Sequence, residues 1–173
     1  MFKKNVFTSL LLVVAFAQQA SANSGDIQFV GSVSTQTCDI KPVVGGTTKN
    51  DIDLGNIEYT AAAAKAVNNG KVVSFSLVPA AGCTNANGAD VSWVGSSFNN
   101  AGLSNVQGTA QGISVKLATD DASPQDININ HQTAGFAKGV NEFKFNAQMV
   151  ADESAEVKPG SVIAHASYSV AYK

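Results

Sequence analysis

The chain has 173 residues, with 13 acids against 11 bases, a formal charge of −2 and 45% hydrophobic residues. Every basic residue is Lys; the lack of Arg, the preferred bidentate reader of phosphate and guanine, argues against a nucleic-acid partner. Length and hydrophobic content fit one domain with a core of its own.

Residues 1–22 have the layout of a cleavable export signal. Lys3 and Lys4 supply the positive end, Val6 to Ala17 a mostly apolar stretch, and Ala20-Ser21-Ala22 a small-residue cleavage site. The apolar run is too short, and too interrupted by Thr8 and Ser9, to span a bilayer as a helix. The mature chain is expected to start at Asn23. Removing the leader takes away two Lys and no acid, which brings the charge to −4. A net charge of this size reads as a solubility feature.

The next segment alternates. Ile27, Phe29, Gly31 and Val33 fall on one strand face, and by alternation alone this is the first strand of any sandwich. Cys38 and Cys83 are the two cysteines of a chain bound for an oxidising compartment, so a disulfide between them is expected. A redox or metal role would need a CxxC or nearby His ligands, which the sequence lacks.

Period two dominates the chain beyond Gly70. Val73, Phe75 and Leu77 alternate with Ser74 and Ser76; Val91 and Trp93 flank Ser92; Ile113, Val115 and Leu117 alternate with Ser114 and Lys116. Phe143, Phe145, Ala147 and Met149 alternate with Lys144, Asn146 and Gln148. Each run predicts a strand with one buried and one wet face. Gly45-Gly46, Asn69-Gly70, Asn87-Gly88, Asn99 to Gly102 and Ser123-Pro124 mark the turns, and only Tyr59 to Val67 suits a short helix. Ser161 to Tyr172 closes the chain as another alternating strand. Short strands with regular turn signals predict a β-sandwich.

Together these residues resemble a family, the pilins of chaperone–usher fimbriae (the type 1 fimbrial protein family). The resemblance covers essentially the whole chain. It rests on the signal, the segment from Gly25 to Val33, Cys38, Leu54-Gly55, Cys83, Phe145-Asn146-Ala147, Gly160 fourteen residues from the end, and the ending Tyr168 to Lys173 with Tyr172 penultimate. It implies an all-β fold: an incomplete immunoglobulin-like sandwich that lacks its last strand and is completed by a donor strand. It further implies a signal over 1–22, a donor-strand extension over 23–36 and a pilin domain over 37–173.

In that family a periplasmic chaperone lends a strand to the open groove. In the fibre, the extension of the next subunit replaces it, a form of β-augmentation. The resemblance assigns Ile27, Phe29, Gly31 and Val33 to the donor. It assigns Gly160, Val162, Ala164, Ala166, Tyr168, Val170, Tyr172 and Lys173 to the groove and to chaperone recognition, with the Lys173 carboxylate held by basic residues of the chaperone. Ile163, His165, Ser167, Ser169 and Ala171 share the other face, and the alternation leaves open which face lines the groove. The expected partners are the chaperone, an outer-membrane usher and other copies of the chain. The expected destination is a cell-surface fimbrium that supports adhesion, reached through the periplasm.

No enzymatic signature or cofactor motif is present. His131 and His165 lack ligand-spaced neighbours, and Asp51 and Asp53 read as solvated loop acids. Asp126 to Asn130 begins like a calcium loop, but the sixth position is His131 rather than Gly and the twelfth is Ala137 rather than Glu. Three further readings carry their own discriminators. A shaft subunit that also binds host glycans, for instance through Lys138 near Phe136, predicts signal on a glycan array. A self-complete soluble sandwich predicts a stable monomer without a chaperone. A hydrolase predicts turnover of general esterase or glycosidase substrates.

Overall fold

In the computed structural model, residues 38–58, 70–83, 85–95, 97–152 and 155–173 are described, all within one compact unit. The export signal, the Ile27–Val33 segment and the Tyr59–Val67 stretch lie outside the described residues. Ten strands appear among the described residues, and no helix: β1 (Ile40–Val44), β2 (Thr47–Thr48), β3 (Val73–Pro79), β4 (Ala89–Gly95), β5 (Leu103–Ser104), β6 (Ile113–Thr119), β7 (Asp126–Ile127), β8 (Thr133–Phe136), β9 (Phe143–Ala151) and β10 (Ala166–Tyr172).

The strands form two antiparallel sheets. The larger runs β2-β1-β3-β9-β6-β5 with β7 also on β6; the smaller runs β10-β4-β8. The alternation explains the pairing. Phe75 sits opposite Phe145 and Leu117 opposite Ala147, so large and small apolar side chains line one face of the larger sheet. The smaller sheet answers with Val91, Trp93 and Ala134, all at most 5% exposed. Trp93 meets Phe75 and Phe145 edge-on, with ring centroids at 6.1 and 5.1 Å, and Phe136 packs on Phe143 at 5.0 Å. Burial of each such side chain contributes roughly 1.5–3 kcal/mol.

Turns follow the local chemistry. Gly45 and Gly46, at φ +57° and +80°, supply the two left-handed positions of the tight β1–β2 hairpin. The Asp126 to His131 stretch is a short strand followed by a turn, in which Asn128 Oδ1 accepts from the Asn130 and His131 amides. Two expectations are refined. Ser114 and Ser76, both expected on a wet face, are buried; the Ser114 hydroxyl accepts from Asn99 Nδ2 at 2.7 Å, and the Ser76 hydroxyl donates to Glu142 Oε1 at 2.6 Å. The last strand, expected from Ser161, has ladder pairing among the described residues only from Ala166, which faces Gly95.

Cys38 and Cys83 are joined in a disulfide with their Cα atoms 6.0 Å apart. The bond ties the residues just before β1 to the loop after β3, beside a 2.7 Å hydrogen bond from the Ala80 amide to the Asp39 carbonyl.

Candidate strand-accepting groove

An antiparallel strand directs the N–H and C=O of successive residues to opposite sides. In β10 the odd side is taken: Lys173 N–H reaches the Gly88 carbonyl at 2.8 Å, and the ladder to β4 is continuous from Ala166 to Tyr172. The even residues therefore direct their backbone groups to the other edge, where β10 pairs with no strand among the described residues. The side chains of Val162, Ala164, Ala166, Tyr168, Val170 and Tyr172 are half-buried and pack against the core. Those of Ser161, Ile163, His165, Ser167 and Ser169 are exposed. Lys173, also exposed, pairs its ammonium with Asp90 at 2.7 Å.

Beside this open edge lies a groove of about 1170 Å³. Its floor is core: Phe75, Leu77, Trp93, Leu117 and Met149. One rim is formed by residues 50–58 and the other by 157–168. The rims shield the floor, so Leu77 stays 1% and Trp93 5% exposed, while the rim side chains Ile52, Leu54, Val162 and Ala164 are only half-buried. Among the described residues, no main-chain to main-chain hydrogen bond holds 50–58; its local bond runs from the Gly55 amide to Asp53 Oδ1 at 2.9 Å. An apolar floor beside unpaired strand backbone is what an added strand satisfies: side chains fill the floor at every second residue, and amides complete the ladder.

The second rim is built differently from the rest of β10. Gly160 is packed so closely that a methyl group there would run into the Ala110 nitrogen. Ser161 and Ile163 spend their backbone groups on the loop 105–110. The Ser161 carbonyl accepts from the Ala110 amide at 2.9 Å, and the Ile163 amide donates to Asn105 Oδ1 at 2.8 Å. Sequence reasoning missed Asn105, Thr109 and the rim residues Ile52 and Leu54. An isolated Asn or Thr in a loop carries no period, and Leu54-Gly55 stood out only as a family mark.

Two tyrosines mark the open side. Tyr168 lies on the groove, its hydroxyl donates to the Ile40 carbonyl at 2.8 Å, and its ring meets Trp93 at 5.8 Å. Burial, and then the Asp39 carboxylate nearby, push its hydroxyl above the ordinary tyrosine value. Burial alone does the same for Tyr172. Trp93 Nε1 is buried without a hydrogen-bond partner among the described residues.

Ile27, Phe29, Gly31 and Val33, expected to form the donor, lie outside the described residues. Lys138 is exposed, but Phe136 turns inward onto Phe143 and Phe145, so that pair offers no aromatic platform for a sugar. No group of three or more metal-ligating side chains occurs among the described residues.

No family model matches the chain. It is 31% identical to the K99 fimbrial protein of Escherichia coli over 186 residues, covering 98% of this chain and 99% of the relative. It is 29% identical to the F107 fimbrial protein of Escherichia coli over 181 residues, covering 99% of each. Its fold matches the crystal structure of the P pilus rod subunit PapA at a TM-score of 0.56 and 14% identity, over 87% of this chain and 100% of that one. Near-full-length likeness to two fimbrial proteins, carried on an open-edged sandwich of pilin type, places this chain in the chaperone–usher family of fimbrial subunits, structural proteins rather than enzymes.

Proposed function

We propose that the chain is a structural subunit of a surface fimbria that supports adhesion and polymerises by donor-strand exchange after chaperone-assisted folding in the periplasm. The observation that carries this reading is the unpaired edge of β10 beside a groove of about 1170 Å³ floored by core side chains.

The proposed donor is the 23–36 extension of a neighbouring copy. Ile27, Phe29, Gly31 and Val33 span the same seven-residue length as Val162, Ala164, Ala166 and Tyr168 on the rim, about 20 Å for an extended chain. Each apolar donor side chain buried in the groove would contribute roughly 1.5–3 kcal/mol. Gly31 would sit where backbone must approach closely. Because the extension leaves one copy and enters another, the contact does not close on itself, and such contacts propagate into filaments. Before assembly the same groove takes a strand of the chaperone, with Gly160 to Lys173 as its recognition strand, and an usher passes the subunit outward.

The test is co-expression with a matching periplasmic chaperone, comparing the intact chain with one lacking residues 23–35. Assembled material is then run on unboiled denaturing gels. A ladder for the intact chain, with only chaperone-bound monomer for the truncated one, is the expected result. A stable monomer without chaperone in both cases would sink the reading.

A further inference from the structure

Residues 161–165, just before the ladder that begins at Ala166, belong to no β-ladder among the described residues, yet they keep the alternating burial of a strand. What holds them is a clasp of side chains from the loop 105–109, together with main-chain bonds from the Ala110 amide to the Ser161 carbonyl at 2.9 Å and from the Gln107 amide to the Ile163 carbonyl at 3.4 Å. Asn105 lies at its centre. Its Oδ1 accepts from the Ile163 amide at 2.8 Å and the Gly108 amide at 2.9 Å, and its Nδ2 donates to the carbonyls of Ala110 at 2.8 Å and Ser161 at 3.1 Å. Thr109 and Ser161 exchange a reciprocal pair: the Ser161 amide donates to Thr109 Oγ1 at 3.0 Å, and the Thr109 amide donates to Ser161 Oγ at 3.1 Å. Gln107 Oε1 meets His165 Nε2 at 2.8 Å. Both backbone groups of Ser161 and Ile163 are thereby satisfied on the clasp side, the Ile163 carbonyl by the Gln107 amide at 3.4 Å.

Without that hold, Val162 and Ala164 border an apolar groove with nothing to keep them apart from the facing rim. Collapse of the segment into the groove would bury both and close the opening. We infer that Asn105 is a positioning residue for strand exchange: the clasp it centres holds residues 161–165 extended, with the even-numbered backbone groups of Val162 and Ala164 free for an incoming strand. The inference rests on the groove being a strand acceptor and adds which part of it is kept open and by what. Preorganisation of this kind acts on how fast a strand enters, by removing a reordering step from association.

The test uses the chaperone-bound subunit and a fluorescently labelled peptide of residues 23–36 of this chain, following peptide uptake and chaperone release. Asn105→Ala should slow uptake by about tenfold, the equivalent of one well-made hydrogen bond. Asn105→Asp, which keeps the acceptor for Ile163 and Gly108 but sets a carboxylate oxygen against the carbonyls of Ala110 and Ser161, should slow uptake as well. Asn99→Ala serves as the comparison, since it removes a similar set of bonds to Ser114, Asp152, Ala101 and Gly102 away from the groove. It should lower the melting temperature of the peptide-completed subunit and leave uptake at the wild-type rate. If Asn105→Ala lowers the melting temperature but takes up peptide as fast as wild type, Asn105 is a stability residue and the inference falls. Should Asn105→Ala fail to fold, Asn105→Asp decides by the same criterion. If the wild-type complex takes up no peptide, the strand-acceptor reading itself fails, and the inference with it.

Discussion

The hydroxyl of Tyr168 donates a 2.8 Å hydrogen bond to the main-chain carbonyl of Ile40, joining the open-edged strand of the smaller sheet to β1 of the larger one. The two residues are 128 positions apart. This bond crosses the sandwich at the groove's own wall, so it bears on the shape of the groove as well as on stability.

Tyr168→Phe should therefore keep the ring against Trp93 and lose only the bond to Ile40. The expected cost is about 1 kcal/mol, somewhat more if the Ile40 carbonyl finds no water. Thermal or urea melting of the strand-completed subunit measures it. An unchanged melting curve would mean that the carbonyl is resolvated without loss.

The same hydroxyl carries a pH dependence. Its pKa is raised in the fold by burial and by Asp39, and that of Tyr172 by burial. A group whose pKa rises on folding stabilises the fold while protonated, and that contribution disappears as pH climbs through the folded value. Stability should be flat with respect to these two groups below about pH 10, the ordinary tyrosine value, and should decline above it. Tyr168→Phe should shallow that decline. A steeper alkaline loss in the variant would contradict the assignment.

Reduction of Cys38–Cys83, or Cys38→Ser with Cys83→Ser, opens a link that spans 45 positions. The chain-entropy relation puts the loss at about 4 kcal/mol. Denaturant melts with and without reductant provide the comparison. A loss below about 1 kcal/mol would show that the unfolded chain gains little freedom when the link opens.

Gly160→Ala should be costly although its backbone angle is not one that demands glycine. The added methyl would press on the Ala110 nitrogen and on the Thr109 carbonyl carbon, both main-chain atoms with little room to move. Overpacking of this kind costs about 1–3 kcal/mol. It should also disturb the Asn105 clasp, so peptide uptake and melting temperature should fall together. A variant that melts like wild type would show that the loop shifts freely.

The strands with clean alternation were legible in the sequence because each buries one face. Val73 to Leu77, Val91 to Trp93 and Phe143 to Met149 all lie in strands whose apolar positions point inward. The short strands β2, β5 and β7, two residues each, were not legible, since a period needs more residues than they have. The even face of the last strand was legible as a pattern. The start of its ladder at Ala166 was not, because pairing depends on a distant strand, β4, and leaves no mark in the local alternation. Ser114 reads as polar and therefore wet, and it is buried because Asn99 reaches it from a loop. Side-chain contacts of this kind, made by Asn99 and Asn105 across the fold, leave no repeat in the sequence to find.

The disulfide has a mechanical meaning. Any pull on the chain ahead of Cys38 arrives first at a covalent bond shared with Cys83, before it reaches the hydrogen bonds of β1. Tension is then split between the start of β1 and the exit of β3, which are already paired through Ile40 and Pro79. With the disulfide intact, β1 and β3 stay linked at this end, so β1 is not free to peel away from β3 starting at Ile40. Under the proposed strand exchange, where the segment ahead of Cys38 is the link to the neighbouring copy, the body of each subunit would be braced at the point where the load comes in.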